Sequence, residues 1–200
     1  MGQILPGLTV SFENPKGGVG KSTLTALFAG YVKSLSENGE GLSIAVVDID
    51  DMQNTIGRMR DSEAEDGTDK SNEYEVINIG SSEFINQLDF LKENFDIILV
   101  EADGAHHKLL KVPALHEPCI PQHSDWVIAL VGGAMVGASA DPAQIHRWAE
   151  FQALCGIAAG ERLDWALFDR LIAHPEGAFK GTPPGARRVW FINGDYQNEQ

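Results

Sequence analysis

The chain is poor in cysteine and in basic residues, and it contains no long apolar run. Its two cysteines, Cys119 and Cys155, stand far apart, which favours reduced, buried thiols in a cytoplasmic protein over a disulfide framework. The 15 lysines and arginines are outnumbered by 29 acids, and the net charge of -14 disfavours nonspecific binding to DNA or anionic lipid. No segment approaches the roughly 18 apolar residues of a transmembrane helix. The N-terminus also lacks the basic and apolar regions of a signal peptide.

The hydrophobic content is ordinary for a globular protein. A hydrophobic fraction of 43% in 200 residues suits one well-buried core, so we expect a single domain over residues 1–200. Residues 57–75 are polar and carry seven acids between Asp61 and Glu75. This composition predicts a solvated acidic loop, with disorder as a further expectation.

Short runs of β-formers alternate with helical patterns along the chain, which predicts an α/β fold: a mostly parallel sheet with helices on both faces. The predicted strands are Leu8–Phe12, Leu42–Val47, Val76–Ile79, Phe95–Val100, Trp126–Val131 and Val189–Ile192. The predicted helices run from Ser22 to about Leu35, after Ser82, after the Asp141-Pro142 pair and after the capping residue Asp164.

A glycine-rich loop, NPKGGVGKST over residues 14–23, joins the first predicted strand to the first helix. This context is typical of a P-loop, in which glycines leave the backbone amides open to phosphate at a helix N-terminus. Lys21 would reach the β- and γ-phosphates, Ser22 would hold Mg²⁺, and Thr23 would donate to the α-phosphate. The predicted nucleotide-binding residues of this loop are Gly17, Gly18, Val19, Gly20, Lys21, Ser22 and Thr23. A plain glycine turn capped by Ser22 is the structural alternative.

The loop departs from the general P-loop pattern, because Pro15 stands where that pattern has glycine and Lys16 follows it. In this form, residues 8–60 resemble the deviant Walker A segment of the ParA/MinD class of P-loop ATPases. The resemblance implies an Mg²⁺-dependent ATPase that forms an ATP-dependent homodimer, with Lys16 reaching the partner subunit's nucleotide as a catalytic residue. A MinD-like membrane role is disfavoured, since residues 196–200 are short and polar.

Acidic side chains follow two of the predicted buried strands. Asp48 and Asp50 close one strand on the same face, and Glu101 closes another. The ParA/MinD resemblance implies that Asp50 activates the attacking water and that Asp48 belongs to the Mg²⁺ site. Glu101 stands where that class has aspartate, and Asp103 competes with it for the metal or water. Solvated acids at polar strand ends are the alternative.

The second half of the chain, residues 97–195, resembles the YqeC-like family of P-loop proteins. The segments that carry the resemblance are Glu101–Ala105, Lys111–Pro113, His116–Pro118, His146–Arg147, His174–Gly177, Lys180–Gly181, Ala186–Arg188 and Asn193. The family is regarded as accessory to selenium-dependent molybdenum hydroxylases. The resemblance therefore implies an alternative function, in which nucleotide binding serves enzyme maturation through an unknown protein partner and with little turnover.

Two further groups of polar residues have open roles. His106, His107, His116 and His123 lie close together in the sequence, but they lack the regular spacing of known zinc sites, which favours a structural or solvated role. Asn193 ends the last predicted strand, where related NTPases contact the base. Since the guanine-reading N-K-x-D pattern is absent, adenine is the expected base; a simple Asn-Gly turn is the alternative.

Overall fold

The computed structural model describes residues 7–13, 20–35, 41–49, 56–58, 74–102, 110–113 and 120–194. The strands are β1 (Leu8–Glu13), β2 (Ile44–Asp48), β3 (Glu75–Asn78), β4 (Ile97–Ala102), β5 (Leu110–Lys111), β6 (Trp126–Gly132), β7 (Ile145–His146) and β8 (Arg187–Asn193). The helices are α1 (Lys21–Ser34), α2 (Ser81–Asn94), α3 (Trp148–Cys155) and α4 (Trp165–Ala173), with a 3₁₀ turn over Gly133–Met135.

Six of the strands form one sheet in the order β3-β2-β4-β1-β6-β8, and every neighbouring pair in it is parallel. This confirms the α/β architecture predicted from the sequence. Strand β4 lies between β1 and β2, so Glu101 is level with both Phe12 and Asp48. The two short strands β5 and β7 form a separate parallel pair.

Helices cover both faces of the sheet, as predicted. One face packs against α1, where Phe12 of β1 meets Phe28 with ring centroids 5.7 Å apart. The opposite face is covered by α2 next to β2 and β4, and by α3 and α4 next to β6. The alternation of side chains along each strand divides the core in this way.

The helix predicted after Asp141 is wrong at its start. Residues 141–144 form a turn in which the Asp141 carboxylate accepts a hydrogen bond from the Ala143 backbone N–H at 2.8 Å. The chain then forms β7, and α3 begins only at Trp148. The reason is that Arg147 adopts a left-handed backbone, with φ of 56°, which breaks any continuous helix. Within α3, Phe151 is buried and Gln152 is exposed.

The large apolar residues of α1 are only partly buried. Leu27, Tyr31 and Leu35 are 66%, 62% and 47% exposed, whereas the buried face includes Lys21 and Thr25. The inward side of the helix carries Lys21, whose ammonium donates to the Ala102 carbonyl at 2.9 Å. The predicted cap of α4 is confirmed, since the Asp164 carboxylate accepts from the Leu167 N–H at 2.8 Å.

The structure bears on three further predictions: the acidic loop, the absence of a transmembrane helix and the state of the cysteines. Of the predicted acidic loop 57–75, the structure describes 57–58 within a short helical stretch, Tyr74, and Glu75 as the first residue of β3; the rest lies outside. Among the described residues, no helix is long and apolar enough to cross a bilayer. Cys155 is buried and free, as predicted, and burial raises the pKa of its thiol to about 11. Cys119 lies outside the described residues.

Candidate functional site

The N-terminus of α1 lies where the glycine loop ends. Gly20 has a left-handed backbone, with φ of 84°, and its carbonyl accepts the first helical hydrogen bond from the Leu24 N–H at 2.7 Å. No described side chain caps this helix end, and its first turn contains no acid. The first N–H groups of a helix have no partner within the helix, so this end of α1 suits an anion.

The Lys21 side chain points from this helix end into the sheet rather than into solvent. Lys21 is only 6% exposed. Its ammonium donates to the carbonyl oxygen of Ala102 at 2.9 Å and lies 3.3 Å from the Glu101 carboxylate. The lysine of the loop is therefore held at the carboxyl end of β4, next to the strand that feeds the loop.

Ser22 contacts the same carboxylate. Its hydroxyl donates to Glu101 Oε1 at 2.7 Å, so that one oxygen of Glu101 accepts from Ser22 and pairs with Lys21. Glu101 and Ala102 belong to β4 and are about 80 residues away in the sequence from Ser22 and Lys21, which begin α1. The three side chains that the sequence assigned to phosphate and metal binding thus meet at one point.

The site is rich in buried negative charge. Glu101 is 5% exposed and Asp48, level with it on the neighbouring strand β2, is 1% exposed. Because registered residues of parallel neighbours share a face, both carboxylates lie on the side of the sheet that α1 covers. Burying carboxylates without a compensating cation is costly, and Lys21 supplies one positive charge here.

The donor set fits a divalent cation such as Mg²⁺. The second carboxylate oxygen of Glu101, Oε2, is buried and receives no hydrogen bond from any residue that the structure describes. Carboxylate and hydroxyl oxygens are the hard ligands that Mg²⁺ prefers, directly or through water. Ser22, Asp48 and Glu101, the predicted metal residues, are therefore the side chains that would hold the ion.

Asn193 lies next to Gly20, the described end of the glycine loop. A methyl group placed on Gly20 would lie 2.7 Å from the Asn193 amide nitrogen, so the end of β8 lies directly against the end of the glycine loop. The predicted base-contacting residue is thus adjacent to the loop. Its position is compatible with a role at the nucleotide, and also with the structural turn that the sequence left open.

The remaining sequence-predicted residues divide into two groups. Thr23 is described and exposed in the first turn of α1. The others lie outside the described residues: Lys16, Gly17, Gly18, Val19, Asp50 and Asp103, together with His106, His107 and His116. His123 is described and exposed, and within the described ranges no cluster of three or more histidines, cysteines, aspartates or glutamates could hold a metal.

The sequence prediction missed one buried acid near this edge of the sheet. Glu13 ends β1 just before the loop and is 1% exposed. It is level with Ala102 and follows Phe12, so it lies on the sheet face opposite Glu101. The sequence does place an acid, Glu13, at the end of a β-forming run and immediately before the glycine loop, and this position could have predicted it.

Comparison with known proteins identifies relatives for most of this region. The sequence profile of the family described as "YqeC protein" matches residues 17–149, from the glycine loop through β4 to the start of α3. The "Uncharacterized protein YqeC" of Escherichia coli (strain K12) is 47% identical over 98 residues, which make up 49% of this chain and 38% of the relative. The chain therefore spans well under half the length of the curated relative it matches. The ParA/MinD resemblance of residues 8–60 stays a prediction.

Proposed function

The chain belongs to the YqeC protein family, and from this premise we propose that it is an Mg²⁺-dependent, ATP-binding P-loop protein. The observation that carries the proposal is the meeting of Lys21 and Ser22 with the Glu101 carboxylate, beneath the uncapped N-terminus of α1. A helix end that offers amides, a buried ammonium and a hydroxyl beside a carboxylate suits a triphosphate with its metal.

Each side chain has a separate task in this proposal. Lys21 exchanges its contact with Glu101 for the phosphate oxygens, while its bond to the Ala102 carbonyl keeps it aimed at the loop. Ser22 and Glu101 orient the metal and its water ligands, and Asp48 adds negative charge beside them. Mg²⁺, when bound, neutralises charge on the β- and γ-phosphates. Asn193 approaches the base, for which we propose adenine.

Turnover is a second part of the proposal. Asp50 follows β2 by two residues and is proposed to orient the attacking water, and Lys16 is proposed to stabilise the developing charge from a partner subunit. ATP would then drive homodimerisation. Comparing phosphate release by the wild type and by Lys16→Ala tests this part, together with the oligomeric mass of Asp50→Ala at saturating ATP. Release that does not need Lys16, or a monomer under these conditions, would refute it.

The family membership supports an alternative output, in which nucleotide binding regulates a partner protein with little turnover. Glu101 in place of the aspartate of the ParA/MinD class is the sequence feature that favours it. On this alternative, ATP raises the melting temperature of the protein but no phosphate is released by wild type or by Lys16→Ala. Co-purification with a molybdenum hydroxylase would then identify the accessory role.

The binding proposal itself is tested with a nucleotide panel, measured with and without Mg²⁺. We expect ATP to raise the melting temperature more than GTP, and to do so only weakly when Mg²⁺ is removed. Lys21→Ala should abolish most of this shift. Lys33→Ala is the matched control, because its ammonium also donates to a backbone carbonyl, that of Leu42 at 2.7 Å, from the other end of α1. A shift that survives in Lys21→Ala would overturn the assignment of the site.

A further inference from the structure

A second cleft lies away from the glycine loop. Its volume is about 520 Å³, within the range of small-molecule sites. The walls come from four separate parts of the chain: the segment after β5, the residue before α3, the outer face of α3 and the loop after α4. The residues that matter most are Val112, Pro113, Arg147, Leu154, His174 and Lys180. None of them belongs to the Lys21–Glu101 site.

The backbone is strained where the cleft is built. Arg147 is the one non-glycine residue with positive φ among the described residues. Its left-handed conformation, with φ and ψ both 56°, ends β7 and starts α3. The guanidinium turns back to donate to the Val112 carbonyl at 3.1 Å. Glycine or asparagine would adopt this backbone at lower cost, and strained residues of this kind cluster at functional sites.

The charges in the cleft are arranged by depth. The Lys180 side chain is 14% exposed and its ammonium lies 2.8 Å from the Glu176 carboxylate, whose side chain is 58% exposed. Arg147 is half-buried, whereas Glu150 on the rim is exposed. The two cations are therefore more buried than Glu150 and Glu176, the two acids that also line the cleft.

His174 adds a further donor. Its Nδ1 accepts a hydrogen bond from the Glu176 backbone N–H at 3.1 Å. With Nδ1 acting as an acceptor, the ring hydrogen is on Nε2. The loop that carries His174 and Lys180 is held closely against α4, because a methyl group on Gly177 would overlap the Leu171 carbonyl oxygen. The backbone of this loop is thus fixed against α4 by packing at Gly177.

We propose that this cleft is a second binding site, for a small organic anion that carries a carboxylate or phosphate on an apolar body. Arg147 and Lys180 attract the anionic group, since guanidinium and ammonium groups recognise both oxyanions. His174 donates to it through Nε2. Val112, Pro113 and Leu154 form the apolar wall for the rest of the molecule. In a chain of net charge -14, cations held inside a cleft provide a local site for an anion that the rest of the surface repels.

The proposal is independent of nucleotide binding. The Lys21–Glu101 site lies on the sheet face that α1 covers, whereas α3 and α4 pack on the opposite face. Among the described residues, the two sites share no side chain. Loss of one site is therefore expected to leave the other intact.

The test is an NMR titration of the ¹⁵N-labelled chain with five probes: benzoate, phenyl phosphate, inorganic phosphate, benzyl alcohol and benzylamine. We expect benzoate or phenyl phosphate to shift the amides of Arg147, Leu154 and Lys180 saturably, while residues 20–25 stay unchanged. The charged aromatic probe should bind about tenfold more tightly than benzyl alcohol, a difference typical of one added ion pair in a partly buried site. Comparing benzoate with phenyl phosphate identifies the anionic group.

Arg147→Asn is the deciding variant, because asparagine tolerates the left-handed backbone and removes only the guanidinium. We expect anion binding to weaken at least about tenfold with unchanged ATP binding, while loss of the bond to the Val112 carbonyl lowers the melting temperature slightly. Arg187→Asn, which removes an exposed arginine outside the cleft, is the matched control and should bind the probe normally. Lys180→Gln repeats the test should Arg147→Asn fail to fold.

Three results would overturn the proposal. They are the absence of saturable shifts with every anionic probe, tighter binding of benzylamine than of benzoate, and undiminished anion binding in both Arg147→Asn and Lys180→Gln. Because Lys21→Ala is expected to keep anion binding while losing ATP binding, failure of the nucleotide proposal is read separately from failure of this one.

Discussion

Replacing Lys21 with methionine is the sharpest test of the contact between the loop lysine and Glu101. The substitution keeps most of the length of the side chain and removes the ammonium. It leaves the Glu101 carboxylate buried beside Asp48 without its cation. The ion pair is buried, since the side chains of Lys21 and Glu101 are 6% and 7% exposed.

The expected loss of stability follows from that burial. Removing one partner of a buried ion pair costs about 3–5 kcal/mol, because the other charge is left uncompensated. For a chain of this size each kcal/mol corresponds to about 2–4 °C in Tm. Lys21→Met should therefore lower the Tm of the nucleotide-free protein by about 6–20 °C. Lys33→Met, which removes a half-buried lysine bonded to a neutral carbonyl, should cost only about 1 kcal/mol.

A double-mutant cycle separates the ion pair from the loss of packing. Glu101→Gln removes the buried charge and keeps an oxygen that accepts from Ser22. In the Lys21→Met background it should therefore restore about 1–3 kcal/mol, whereas in the wild type it destabilises. Urea denaturation followed by circular dichroism measures all four free energies of unfolding. The double variant should regain stability but not ATP-dependent stabilisation, since the phosphate-binding ammonium is still missing.

Additive effects would refute this reasoning. If the coupling between the two substitutions is below about 0.5 kcal/mol, the Lys21–Glu101 contact contributes nothing beyond its separate parts. If Lys21→Met is no less stable than Lys33→Met, the buried carboxylate does not depend on the lysine. Either result would remove the structural argument for a preformed phosphate and metal site.

Three smaller predictions concern single residues. Gly20→Ala should destabilise the protein and weaken ATP binding, because the new methyl would meet the Asn193 amide at 2.7 Å in a backbone of positive φ; thermal melts with and without ATP measure both effects. The backbone N–H and hydroxyl of Ser43 lower the pKa of Asp96, so its stabilising contribution is present above the ordinary value of 3.8 and is lost as pH falls through the lowered value. The urea midpoint of the wild type should therefore exceed that of Asp96→Asn at neutral pH. The two midpoints should converge as the pH is lowered below 3.8. Burial raises the pKa of Cys155 to about 11, so iodoacetamide should label it at neutral pH only after unfolding, and equal labelling rates in the folded and unfolded protein would contradict this.

Sequence patterns predicted secondary structure correctly where the residues that determine an element are neighbours in the chain. The buried strands read as continuous apolar runs, and the Asp164 cap lies directly before its helix, so both were predicted to within a few residues. The helix predicted from Asp141 failed because an aspartate-proline pair also suits a turn, and nothing nearby showed that Arg147 takes a left-handed backbone. In α1 the leucine and tyrosine residues Leu27, Leu35 and Tyr31 are exposed, while Lys21 is buried, and the bounds of the helix alone do not show which residues face inward.

The sequence by itself determined the α/β class, the glycine loop between a strand and a helix, and the acids that close the buried strands. These features depend on residues next to one another in the chain, whose spacing reflects strand and helix geometry. Only the tertiary structure decided that Glu101 accepts from Ser22 and pairs with Lys21, since the order of strands in the sheet brings β4 beside β1. It also gathered Val112, Arg147, His174 and Lys180 into one cleft. Contacts between distant segments depend on how whole elements pack, and no short stretch of sequence records that packing.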